Sequence, residues 1–315
     1  MVFVSSSPHI KDNCSTQRIM LDVIVALIPA LIVGVIRYGL HALALVLTCV
    51  VSAFLAEGIA RRVMKRENTV DDLSAIVTGL LLGLNLPSTL PLWMGAFGSV
   101  IAIVVVKQFF GGLGQNFVNP AITARIILML CFAGAMTKWT APGFTLWADG
   151  VTSASPLETL ANGTTEGLPS ILDMLLGSRA GCIGELSALA LLAGGIYLVI
   201  RRVITPIIPV SFIATVFVCM LIKSGSLEYS LYEILSGGLL LGAIFMATDY
   251  ATSPINNKGR LVFGIGCGLI TSAIRIFGSL PEGVSYSIIL MNILVPHIDS
   301  LTLSKPFGAK EAEKK

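Results

Sequence analysis

The sequence predicts an all-α polytopic membrane protein with about ten transmembrane helices in two inverted five-helix repeats, and three observations predict it. Hydrophobic residues make up 55% of the 315-residue chain and charged residues 12%, with a mean hydropathy of +0.86, a balance that cannot keep a globular surface solvated. Apolar runs near bilayer-spanning length recur along the chain, punctuated by Gly, Pro and Arg/Lys clusters rather than by the alternation of a porin. Short matches, met in the same order, relate the first half to the second.

Five runs precede the longest polar interval, at residues 21–36, 39–60, 73–86, 92–106 and 121–136. Five follow it, at 186–200, 203–222, 231–247, 261–274 and 284–295. These bounds set a first repeat at 1–137, a polar loop at 138–181, a second repeat at 182–304 and a tail at 305–315. No small-residue cleavage site follows the first run, so it is expected to be retained.

Charge placement orients the chain. With the amino terminus inside, sixteen basic residues fall on the inner side, among them Arg61, Arg62, Lys65, Arg66, Lys107, Arg125, Arg201 and Arg202. Only Arg37, Lys138, Arg179, Lys223 and Arg275 fall outside. The positive-inside rule therefore puts both termini in the cytoplasm and the polar loop on the far side of the cell (inner) membrane. The net charge of +3 does not imply nucleic acid.

The repeat is carried by Gly79-Leu80-Leu81-Leu82-Gly83, which recurs as Gly238-Leu239-Leu240-Leu241-Gly242. Phe97-Gly98 and Phe110-Gly111-Gly112-Leu113 find echoes in Phe263-Gly264 and Phe277-Gly278-Ser279-Leu280. Five is odd, so the second repeat is expected upside down relative to the first. The run 73–86 gives about 21 Å of helix against a hydrocarbon core of about 30 Å, so it should stop partway. Asn85, Pro87, Ser88, Thr89 and Pro91 then supply irregular backbone, tolerable at that depth only where it is buried or lines a cavity. Its counterpart is the stretch 246–254, where Thr248, Asp249, Thr252 and Ser253 break the apolar run. A binding cavity is expected at these two breaks.

Several residues could carry chemistry. In the stretch 107–121, three glycines allow close backbone approach, and the amides of Gln115, Asn116 and Asn119 can both donate and accept toward a planar heterocycle; a tight turn between two helices would look similar. Glu57, Lys107, Arg125 and Arg275 lie near run ends, as ion-path contacts or as side chains snorkelling to the interface. The six cysteines and three histidines are scattered, so no metal site is expected. There is no Walker-type loop and no dinucleotide fingerprint, which disfavours a nucleotide-hydrolysing pump.

The polar loop holds Asp149-Gly150-Val151-Thr152-Ser153-Ala154-Ser155-Pro156-Leu157, rich in hydroxyls and small residues. This stretch, with 107–121 and Met246-Ala247-Thr248-Asp249, resembles the D subunits of the Rnf complex and the related B subunits of the sodium-translocating NADH:quinone reductase, over nearly the whole chain. In that family a flavin transferase attaches FMN through its phosphate to a hydroxyl in a motif of the form Asp-x-x-Ser/Thr-x-Ala-Thr. Asp149, Thr152 and Ala154 match, and Ser155 stands where the family usually has Thr; Thr152 is the alternative acceptor. The resemblance implies an electron-carrying subunit, inactive alone, of an ion-translocating ferredoxin:NAD oxidoreductase. Its partners would be membrane lipid and the other subunits of the complex, including a second flavin subunit and iron-sulfur subunits. Asn85, Asn116, Asn119 and Asp249 are the expected site for an ion or for a noncovalent flavin such as riboflavin. A solute channel or carrier of the urea-transporter type is the competing reading, and the Asp149 to Ser155 motif is what it would have no use for.

Overall fold

The computed structural model describes residues 15–66, 70–143, 153–161, 168–278 and 282–302. Asp149 and Thr152 lie outside the described residues, as does the tail 305–315. Within them the chain is helical, with one isolated bridge between Pro87 and Cys182 and no strand.

Among the described residues, five helices are long and apolar enough to cross a membrane: α1 (Thr16–Tyr38), α2 (Leu40–Val63), α10 (Ile207–Ser224), α13 (Asn257–Phe277) and α14 (Val284–Thr302). A sixth unit is broken: α11 (Leu227–Leu235) bends by 66° into α12 (Leu239–Leu241), which continues as a π-helix over Gly242–Met246. Four shorter apolar helices complete the set: α3 (Ser74–Leu84), α4 (Leu92–Val100, continued by a π-helix over Ile101–Gln108), α5 (Pro120–Cys131) and α9 (Ala188–Ile200). The short helices α6 (Ala133–Met136), α7 (Pro156–Ala161) and α8 (Ile171–Leu176) lie between α5 and α9. The chain is a multi-pass membrane protein. Large apolar side chains such as Ile36, Val51, Ile59, Ile196 and Ile222 are exposed, as a lipid-facing surface requires, while the polar residues turn inward.

Local chemistry sets the helix limits. Asn119 Oδ1 accepts from the N–H groups of Ala121 and Ile122 (3.0 and 3.2 Å), and Pro120 follows in the first turn of α5. Ser187 and Ser226 cap α9 and α11 in the same way. Helix α3 has only 11 residues, about 16 Å, so its last carbonyls end inside the protein. They are met by the segment before α9, where Gly184 N–H donates to Leu84 O (2.8 Å) and Ile183 N–H to Leu86 O (3.1 Å). Tyr38 pins the same segment, donating to Gly181 O (2.9 Å) and accepting from Gly181 N–H (3.1 Å). The break after α3 is closed by His41 Nδ1 against Ser88 O (2.7 Å) and by the Ser88–Thr140 hydroxyl pair (3.0 Å).

The packing pattern is similar in the two halves. Helix α2 lies on α3 and α4, α10 lies on α11 and α13, and α1 packs on α9 while α5 packs on α14.

Candidate functional site

Four places bear on function, beginning with the polar loop. Ser155 caps α7: its Oγ accepts from Glu158 N–H (3.2 Å) and its carbonyl from Thr159 N–H (3.1 Å). Leu157 and Leu160 bury the helix, which packs on α11, while Ser153 and Ala154 stay exposed. Ser155 itself is buried at the start of this anchored helix, next to the exposed small residues Ser153 and Ala154. A phosphoester on this oxygen would stand at the positive end of α7, where Pro156 has no N–H and the Glu158 N–H already binds Ser155 Oγ.

A cavity of about 400 Å³ opens between the two halves. Its polar lining includes Ser74, Lys107, Asn116, Asn119, Thr248 and Asp249, and its apolar lining includes Leu81, Leu198 and Phe245. Two π-helical segments deliver part of this lining, one ending just past Lys107 and the other at Met246, just before Thr248. A π-turn adds a residue per turn and re-aims the side chains that follow it. Asn119 Nδ2 donates to Met246 O (3.2 Å), and the Thr252 hydroxyl donates to Asp249 Oδ2 (3.2 Å). Of the four residues expected to share a site, the structure brings Asn116, Asn119 and Asp249 to one cavity wall. Asn85 is not part of that wall. Helix α3 presents Ser74, Thr78 and Leu81 to the cavity and ends with Asn85 behind Met246, whose Sδ accepts from Asn85 Nδ2 (3.3 Å). The expectation that both breaks line the cavity is corrected accordingly.

The four ionisable residues singled out near run ends are all buried in ion pairs, so snorkelling does not describe them. Lys107 Nζ donates to both Glu57 oxygens (2.9 and 3.0 Å) and to Ser74 Oγ (2.5 Å), and Gln108 Nε2 donates to Glu57 Oε1 (2.7 Å). Arg275 donates to Glu233 Oε2 (3.0 Å) and to the carbonyls of Glu233 and Ser236 (2.6 and 3.3 Å).

Arg125 is placed differently from the sequence expectation. Counted among the inner-side cations, it stands mid-helix in α5 and reaches Glu282 Oε2 (2.5 Å), Ser285 Oγ (3.0 Å) and Cys182 Sγ (3.5 Å). Glu185 Oε1 lies 3.9 Å away. Cys182, Glu185 and Glu282 belong to the segments before α9 and α14 and Ser285 to the first turn of α14, on the side where the Ser155 segment packs. Sequence reasoning passed over Glu185 and Glu282. The available signal was a lone carboxylate between glycines or prolines at the mouth of an apolar run, in Gly181-Cys182-Ile183-Gly184-Glu185 and Pro281-Glu282-Gly283.

A model of the NQR2, RnfD, RnfE family matches residues 3–308. The chain belongs to that family. Similar proteins of the family include the D subunit of the Na(+)-translocating ferredoxin:NAD(+) oxidoreductase complex of Acetobacterium woodii, 47% identical over 313 residues, covering 99% of this chain and 96% of that protein. The D subunit of the proton-translocating ferredoxin:NAD(+) oxidoreductase complex of Clostridium ljungdahlii is 40% identical, covering 98% of this chain and 96% of its own length. The D subunit of the ion-translocating oxidoreductase complex of Cronobacter sakazakii is 37% identical, with 98% and 99% covered.

Proposed function

We propose that this chain is the flavin-carrying membrane subunit of an ion-translocating ferredoxin:NAD oxidoreductase complex, working only with its partner subunits. The observation that carries the reading is the family relationship across the whole chain, joined to an acceptor hydroxyl, Ser155, on an anchored helix start. FMN joined through its phosphate to Ser155 would supply one- and two-electron transfer on the outer side. The protein's own part is to hold that attachment point against α11 and to keep the neighbouring charges paired and dry.

The cavity between the halves is our candidate for a second, noncovalent flavin or for the ion. Its volume suits a ring system, and Asn116 and Asn119 offer amides while Asp249 offers an acceptor. Two inverted five-helix repeats are supported by the matching packing of α2 and α10 and by the contacts α1–α9 and α5–α14, which a pseudo-twofold axis would generate. The excess of basic residues favours both termini in the cytoplasm and Ser155 outside, even with Arg125 removed from the inner count. The coupling ion is sodium or protons, the two ions named for the relatives.

The test is in-gel flavin fluorescence of the denatured chain after co-expression with a flavin transferase, comparing wild type, Ser155→Ala and Thr152→Ala. Fluorescence is expected to disappear in Ser155→Ala alone. A dark wild-type band despite active transferase would refute the covalent flavin.

A further inference from the structure

A series of buried contacts leads from the cavity wall to the end of the helix bundle where the Ser155 segment packs. From the cavity wall, Asn119 holds Met246 O; Met246 Sδ meets Asn85; and Asn85 Oδ1 accepts from Arg125 NH1 (3.4 Å). Arg125 in turn holds Glu282, beside Glu185. Every residue on this path is buried or nearly so, and such a run of polar groups is costly in a membrane protein unless it is used.

The far end of the series is incomplete. Glu282 is fully engaged, accepting from Arg125 through Oε2 and from Gly238 N–H through Oε1 (3.2 Å). Glu185 is only 3% exposed, yet its Oε1 accepts no hydrogen bond. The Oε1 atoms of both carboxylates border one small space. A methyl carbon on Gly238 would stand 2.9 Å from Glu185 Oε1 and 3.2 Å from Glu282 Oε1, with Arg125 NH1 at 3.5 Å. Glycine at 238 leaves that space open.

We propose that Glu185, with Glu282 and Arg125, forms the outer exchange site for the translocated monovalent cation: Glu185 takes the cation, and Arg125 keeps Glu282 neutralised meanwhile. The charges around Glu185 suit this use. Arg179 donates to the Glu185 carbonyl through Nε (3.1 Å) and leaves its NH1 without a partner beside this site, Cys182 and Tyr38 adjoin it, and Arg275 is paired with Glu233. Burial, then the nearby Glu282 carboxylate, push the Glu185 carboxyl up to about 7, so it can load and unload near neutral pH. Against the effect of burial, the Arg125 guanidinium holds Glu282 below the usual carboxylate range.

This proposal rests on the ion-translocation reading. The test uses the assembled complex containing this chain in proteoliposomes, driven by reduced ferredoxin and NAD, with cation uptake measured per NADH formed. Glu185→Gln should lower uptake per NADH by about tenfold or more while bound flavin stays at the wild-type level. A sodium-translocating complex reads out as uncoupler-resistant sodium uptake, and a proton-translocating one as an uncoupler-sensitive pH change. Glu185→Asp, which keeps the carboxylate, should restore uptake with a shifted sodium or pH dependence. Normal uptake in Glu185→Gln, or unaltered ion dependence in Glu185→Asp, overturns the site and leaves the functional reading standing. A wild-type complex that transfers electrons but moves neither ion overturns both.

Discussion

The pentapeptide Gly-Leu-Leu-Leu-Gly occurs twice, and the two copies do different work. In the first half it lies inside α3, and Gly79 lets that helix meet the backbone of α2: a Cβ there would stand 2.7 Å from Cys49 O and 2.8 Å from Val50 Cα. In the second half the pentapeptide opens just after the 66° bend, and Gly238 faces the carboxylates of Glu185 and Glu282. The buried ion pairs beside α3 and beside the bend differ in the same way. Lys107 is a point charge held by Glu57 and Ser74 on the cavity wall, whereas Arg275 is a planar fork binding Glu233 together with two carbonyls at the bend. A lysine so placed can change partners; an arginine so placed clamps the backbone. The same five residues thus serve a helix contact beside the cavity in one place and face charged groups just after a bend in the other.

The largest effect that would test this difference is expected at Lys107. Lys107→Met strands Glu57 in a buried site and should cost about 3–5 kcal/mol, measured as a lower unfolding midpoint in detergent. Adding Glu57→Gln should recover much of the loss; a double variant as unstable as the single one would mean that the pair is not the unit. A smaller effect separates the glycines. Gly79→Ala presses on backbone and should cost about 1–3 kcal/mol, because α2 and α3 must move apart. Gly238→Ala presses on the ends of two flexible side chains, so it should cost less than about 1 kcal/mol and act instead on cation uptake. Equal destabilisation by the two alanines would erase the distinction.

The physical reasons why some of this was legible in the sequence are specific. Helix-length apolar runs, the Asn119-Pro120 start of α5 and the hydroxyl breaks at 85–91 and 246–254 are local signals, because lipid rewards unbroken apolar length and only polar or Pro-rich segments interrupt it. Asn116, Asn119 and Asp249 were legible as a polar set for a related reason: hydrophilic groups amid apolar runs need a cavity or a partner. Arg125 was misplaced because its position along α5 says nothing about which distant groups it meets, 57 and 157 residues away.

By itself, then, the sequence determined a multi-pass helical membrane protein, the ends of several helices and the stretch that bears the Ser155 hydroxyl. These follow from transfer free energy and local capping, which act on neighbouring residues. Only the tertiary structure decided that α3 ends against the segment before α9, that Asn85 stands behind Met246 rather than in the cavity, and that Glu185 and Glu282 share Arg125. Those contacts join residues far apart in the chain, and which buried charge finds which partner depends on how whole helices pack.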